Sequence, residues 1–232
     1  MEALVDFNTI PELFNRLIDY HIGKNHVVLR YVDKASKEWV DVTWPEFRDR
    51  VQAMAGYLYS QGIRPGDRVA ILSENRPEWA YTDMATQLLG AVNVSLYTTL
   101  PSKEVSYIIH DSGASVFIVS TGIQLKKALQ IYDLCPRLDR IVSMVPSRDE
   151  APDHLDLFDD AMSNGQALFQ EYRDAIKANE AAIKPKDLSV LIYTSGTTGN
   201  PKGVMLTHAN LCENLKSALQ RLRFSEGGRH LS

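Results

Sequence analysis

The sequence predicts an α/β fold in which a mostly parallel sheet is covered by helices on both faces. Three observations carry this expectation. From Arg68 onward, short apolar β-type runs alternate with longer amphipathic stretches. Those runs are apolar at consecutive positions, as in strands buried on both sides. Gly and Pro punctuate the changeovers, at Pro65-Gly66, Pro77, Gly90, Pro101 and Gly113.

Taken in order, the first element reads as a helix. Thr9-Ile10-Pro11-Glu12 supplies a capping Thr, an early Pro and a Glu three residues after the Thr. Leu13, Phe14, Leu17 and Ile18 then form an apolar stripe. Val27 to Val32 and Trp39 to Thr43 are β-rich runs around the polar Lys34 to Lys37, the pattern of a hairpin. Thr43-Trp44-Pro45-Glu46 repeats the helix-start signature, and Phe47, Val51, Met54, Ala55 and Leu58 extend that helix until Gly62.

Strand and helix then alternate. Strands are expected at Arg68 to Leu72, Ala91 to Leu96, Ser115 to Val119 and Arg140 to Met144. Helices are expected from Pro77 to Leu89, Pro101 to His110 and Gln124 to Tyr132. Ser147 to Asp160 crowds Asp149, Glu150, Asp153, Asp156, Asp159 and Asp160, and reads as a solvated surface insertion rather than a metal site. A helix from Gln166 to Ala182 and the turn Lys184-Pro185-Lys186-Asp187 follow, and His208 to Leu222 forms a last helix.

Composition bounds the function. With 232 residues, 44% of them apolar and 23% charged, the chain is an ordinary globular one, either one large domain or two small ones. Its 25 basic and 29 acidic side chains sum to −4, which gives no basic footprint for nucleic acid. Cys135 and Cys212 fit neither a disulfide framework nor a metal spacing, so a reducing, cytoplasmic location is expected. No run approaches the roughly 18 apolar residues of a membrane span, and Met1 to Asp6 carries acids where a signal peptide needs bases. Peripheral contact with a membrane stays open.

One stretch carries chemistry. The β-type run Val190 to Tyr193 leads into Thr194-Ser195-Gly196-Thr197-Thr198-Gly199-Asn200-Pro201-Lys202-Gly203, after which Val204 resumes apolar structure. Gly196 and Gly199 let backbone N–H groups turn inward as an anion-binding nest. Thr194, Ser195, Thr197 and Thr198 add hydroxyl donors, and Lys202 adds a mobile positive charge for a polyphosphate. A Gly/Thr-rich surface turn is the plain alternative, and the conjunction of all these features between structured runs argues against it. The spacing is not that of a Walker A loop, where Gly precedes Lys, nor Gly-x-Gly-x-x-Gly.

At these residues the chain resembles a known family. Tyr193 to Lys202 and the continuation Gly203-Val204-Met205-Leu206-Thr207-His208 are similar to the signature loop of the AMP-forming adenylate enzymes, which include acyl-CoA synthetases and luciferases. Thr43 to Phe47 resembles the family's early helix start, and Ser73 to Trp79 and Gly90 to Gly113 resemble the long-chain fatty-acid–CoA ligase branch. Ser95 departs from relatives that carry Pro before the Leu-Tyr pair.

The resemblance implies two half-reactions. A fatty-acid carboxylate attacks the α-phosphate of Mg2+-bound ATP, giving an acyl-adenylate and pyrophosphate. The thiol of coenzyme A then displaces AMP. It also assigns the β- and γ-phosphates to Thr194, Ser195, Gly196, Thr197, Thr198, Gly199 and Lys202. His208 reads as a cap or a packing residue, His110-Asp111 as a helix end, Trp79 and Tyr81 as core, and Cys212 as a small buried hydrophobe.

The family's later segments, including its Mg2+-binding Glu and catalytic Lys, have no match here. The expectation is therefore that residues 1–232 form part of the family's N-terminal domain without the small C-terminal domain. The isolated chain is expected not to catalyse carboxylate-dependent ATP–pyrophosphate exchange, and to expose apolar sheet edges. Other readings stay open: a non-catalytic nucleotide-binding half that needs a partner chain, adenylation of a different carboxylic acid, or a phosphotransferase.

Overall fold

The computed structural model describes residues 6–33, 36–147, 150–194 and 199–221. The chain opens with α1 (Ile10–His21), the hairpin β1 (Val27–Val32) and β2 (Trp39–Thr43), and α2 (Trp44–Ser60). Strand–helix alternation follows as β3 (Arg68–Leu72), α3 (Pro77–Leu88), β4 (Val92–Leu96), α4 (Ser102–Ser112), β5 (Val116–Val119) and α5 (Gly122–Ile131). Then come β6 (Arg140–Ser143), β7 (Leu155–Leu157), α6 (Phe158–Ala182), β8 (Leu188–Thr194), β9 (Lys202–Thr207) and α7 (His208–Arg221).

The helix starts behave as their sequences require. Thr43 accepts the Glu46 backbone N–H while the Glu46 carboxylate accepts the Thr43 N–H at 2.8 Å, so two otherwise unpaired donors are satisfied at the head of α2. Thr121 and Gln124 form the same reciprocal cap on α5, which therefore begins at Gly122, ahead of the expected Gln124. Thr9 caps α1, and Thr207 caps α7 by accepting from the Asn210 N–H at 3.3 Å.

Seven strands form the main sheet in the order β7-β6-β5-β3-β4-β8-β9. Neighbours are parallel from β7 to β8, and β9 closes the edge antiparallel to β8. The expected mostly parallel sheet is thus observed. Its buried strands alternate between two cores. In β5, Val116 and Ile118 point to the side covered by α2, α3 and α6, whereas Phe117 and Val119 point to the side covered by α4 and α5. All four side chains are buried, which is why the run reads as continuously apolar.

The acidic stretch departs from expectation. It is not a surface insertion up to Asp160. Leu155–Leu157 adds a parallel strand to the sheet edge, and α6 begins at Phe158 rather than near Gln166. Asp159 and Asp160 occupy the first turn of α6, where carboxylates face the positive end of the helix. Asp156 accepts the Tyr57 hydroxyl at 2.7 Å, and Leu155 and Phe158 are buried. The acids flank a structured edge that two apolar side chains hold down.

Candidate functional site

β8 is held on both sides. Its parallel ladder with β4 runs from Asn93↔Val190 to Ser95↔Ile192, and its antiparallel ladder with β9 ends on Tyr193↔Gly203 and Thr194↔Lys202. Below, the buried Ser189 hydroxyl donates to Gln87 of α3 at 2.7 Å. β8 and β9 are therefore the two arms of a hairpin, with Thr194 at the end of one and Lys202 directly across from it at the start of the other.

The structure brings Thr194 and Lys202 together and places Gly199 in the turn between them. All three are exposed. Ser195, Gly196, Thr197 and Thr198 lie outside the described residues. Gly199 has φ of 127°, a region open to glycine and strained for any residue with a Cβ. Among the described residues no carboxylate forms an ion pair with Lys202, so its charge is available to an anion.

The neck of the hairpin is built around Tyr193. Its ring, only 6% exposed, lies over Gly203 on the facing strand. A Cβ on Gly203 would come within 3.2 Å of the Tyr193 Cζ, so a side chain there would have to push the ring away. The Tyr193 hydroxyl donates to Asp111 Oδ2 at 2.6 Å. Burial, reinforced by that carboxylate, raises the phenol's pKa well above the ordinary tyrosine value.

Sequence reasoning missed this anchor. Asp111 stands in the last turn of α4, as a helix-end residue should, but its partner is 82 positions away and no local pattern announces it.

The remaining candidates serve packing, except Trp79, which is expected in the core but lies only half-buried outside the core clusters. His208 opens α7 and is fully buried, and its Nδ1 accepts the Ile10 N–H at 3.3 Å. That bond puts the ring proton on Nε2, which has no hydrogen-bond partner among the described residues. Burial lowers the imidazole's pKa. Tyr81 is in the core, Trp79 is half-buried, and Cys135 and Cys212 are free buried thiols. Among the described residues no three His, Cys, Asp or Glu side chains converge to hold a metal ion, and no helix is long and apolar enough to cross a membrane.

Comparisons with known proteins agree with the fold. The family model described as AMP-binding enzyme matches residues 20–231. The long-chain-fatty-acid–CoA ligase FadD15 of Mycobacterium bovis is 35% identical over 180 residues, 78% of this chain and 28% of that protein. The long-chain-fatty-acid–CoA ligase heimdall of Drosophila melanogaster is 28% identical over 95% of this chain and 33% of its own length. This chain thus spans about a third or less of these curated relatives.

Among solved structures, the adenylation domain of a Mycobacterium chelonae carboxylate reductase superposes with a TM-score of 0.62 at 26% identity. That match covers 91% of this chain and 36% of the other. An acyl-CoA synthetase from Brucella canis superposes with a TM-score of 0.60 at 22% identity, over 84% of this chain and 33% of the other. The sheet and its helical layers are therefore the fold expected of adenylate-forming enzymes. With its model matched over nearly the whole length, the chain belongs to the AMP-binding enzyme family.

Proposed function

We propose that this chain supplies the phosphate-binding part of an enzyme that activates a fatty acid with ATP. In the first half-reaction a carboxylate oxygen bonds to the α-phosphorus of ATP and the bond to the bridging oxygen breaks. Pyrophosphate leaves, and the acid becomes a mixed anhydride with AMP. In the second, the sulfur of coenzyme A bonds to the acyl carbon and AMP departs, carrying the electron pair of the broken C–O bond.

The observation that carries this reading is the hairpin itself. It sets Thr194 across from Lys202, which forms no ion pair among the described residues, with Gly199 in a glycine-only conformation between them in the chain. In this reading Thr194, Ser195, Gly196, Thr197, Thr198, Gly199 and Lys202 bind the β- and γ-phosphates, and Lys202 offsets the charge that builds on departing pyrophosphate. Pre-aimed donors in such a site are usually the largest catalytic term. Mg2+ would enter with the nucleotide, on its phosphate oxygens.

The choice of a fatty acid rests on the names of the relatives, FadD15 and heimdall among them. The likeness to a carboxylate-reductase adenylation domain favours a second reading, adenylation of another carboxylic acid. Calorimetric titration of the 232-residue chain with Mg-ATP and with pyrophosphate tests the common part. Binding that Lys202→Ala weakens is expected, and equal binding by wild type and variant would sink the assignment.

A further inference from the structure

We infer that Asp111 is a positioning residue for the phosphate loop, acting through Tyr193 to hold Thr194 and Lys202 opposite each other. The inference rests on the phosphate-binding reading above and adds to it a residue outside the signature loop.

The case begins with where β8 loses support. Its ladder with β4 ends at Ser95↔Ile192, one residue before Tyr193. From Tyr193 onward the strand is held by β9 on one side and by whatever its own side chain reaches. That side chain crosses Gly203 and ends on Asp111, 2.6 Å away. An O–H donor on a carboxylate at this length is a charge-assisted bond, stronger than a neutral one. A backbone hinge at Tyr193 would move Thr194, the next residue, and with it the width of the loop's mouth.

Asp111 is itself on a fixed base. α4 buries Val105, Ile108 and Ile109 in the core and ends on Gly113 in a left-handed turn, φ 64°. The guanidinium of Arg68, on the central strand β3, donates to the Ser112 carbonyl at 2.7 Å and to the Gly113 carbonyl at 3.1 Å. The end of α4 is thereby tied to the middle of the sheet. A continuous path runs from β3 through the end of α4 and Asp111 to Tyr193. Gly203 belongs to the same device, because a Cβ there would crowd the ring at 3.2 Å.

The experiment uses the 232-residue chain and five variants: Tyr193→Phe, Asp111→Ala, Asp111→Asn, Asp111→Ala combined with Tyr193→Phe, and Lys202→Ala as the control for the phosphate reading. Two quantities are read. Hydrogen exchange at the amides of residues 193–194 and 202–204 reports the neck. The affinity for Mg2+-loaded inorganic tripolyphosphate reports the loop.

Tyr193→Phe and Asp111→Ala should each speed neck exchange and weaken tripolyphosphate binding about tenfold, the scale of one hydrogen bond to a charged group. The double variant should be no worse than either single, because both remove the same bond. Asp111→Asn keeps an acceptor oxygen and should stay close to wild type in both readouts. Unchanged neck exchange in Tyr193→Phe and Asp111→Ala overturns the inference, as does faster exchange with wild-type affinity. If wild type and Lys202→Ala both fail to bind tripolyphosphate, the phosphate reading falls. The anchor then stands or falls on the exchange result alone.

Discussion

Gly56 and Gly165 face each other where α2 crosses α6, and each leaves the other's helix no room for a side chain. A Cβ on Gly165 would lie 2.1 Å from the Ala53 carbonyl oxygen, and one on Gly56 would lie 2.3 Å from the Gly165 carbonyl oxygen. Both obstacles are backbone atoms, so no rotamer change relieves them. The close approach lets Phe169, Ile176 and Phe158 of α6 join Val51, Met54 and Leu58 of α2 in one core.

Gly165→Ala should therefore destabilise the fold although alanine is the better helix former. Helix propensity returns up to about 1 kcal/mol, and overpacking costs roughly 1–3 kcal/mol, or more where backbone must move. A net loss of about 1–3 kcal/mol is expected in urea unfolding. Gly122→Ala is the control. It adds a methyl at the first residue of α5 with nothing within 4 Å, so it should leave stability level or raise it slightly.

The buried imidazole of His208 makes a pH prediction. Burial holds its pKa below the ordinary value near 6.5, against a smaller opposing pull from Asp187. A folded state that resists the proton while the unfolded chain accepts it loses stability as pH falls below about 6.5. Above that pH both states are neutral and the residue adds no slope. His208→Asn removes the titration and keeps an acceptor for the Ile10 N–H. Thermal unfolding between about pH 7 and 5 should therefore show a shallower decline for the variant, by at most about 1.4 kcal/mol per pH unit. Parallel curves for the two proteins would refute this assignment.

The parts legible in the sequence share one physical cause. β3, β4, β5 and β6 are buried on both faces, so burial wrote them as short apolar runs between Gly and Pro. The caps at Thr9 and Thr43 are legible because both partners lie within one helical turn. The start of α6 was hidden because Asp156, Asp159 and Asp160 look like solvent-loving residues. One of them is a hydrogen-bond acceptor for Tyr57 and the others sit at a helix head. In the site, the phosphate chemistry is legible in the composition from Thr194 to Lys202. The support beneath it is not, since Asp111 and Tyr193 meet only through the tertiary fold.

Strand β9 bears on association. It is the last strand of the sheet, and among the described residues nothing pairs with its outer edge. Met205 is 66% exposed and Val204 43%. An unpaired edge with apolar side chains is a template for pairing with a second chain. The 232-residue chain should show concentration-dependent association in sedimentation velocity. Met205→Lys should reduce it, because a charge on an edge strand opposes edge-to-edge contact. Association that Met205→Lys leaves untouched would point to another face of the molecule.

Lys202 is the sharpest test of the phosphate reading, because among the described residues no carboxylate pairs with its charge. It is exposed, and among the described residues it forms no ion pair, so truncating it should leave the unfolding midpoint nearly unchanged. A charge-assisted contact to phosphate is worth about 1.5–3 kcal/mol, so Lys202→Ala should weaken Mg-ATP binding by about tenfold to a hundredfold. Lys202→Arg keeps the charge with a planar head and should fall between the two. Exposed charges are screened by salt, so wild-type affinity should drop as salt rises from about 0.05 to 0.5 M, and Lys202→Ala should drop less. A calorimetric series in Mg-ATP at several salt concentrations reads both effects. Equal salt slopes for wild type and Lys202→Ala would show that the nucleotide binds away from this hairpin.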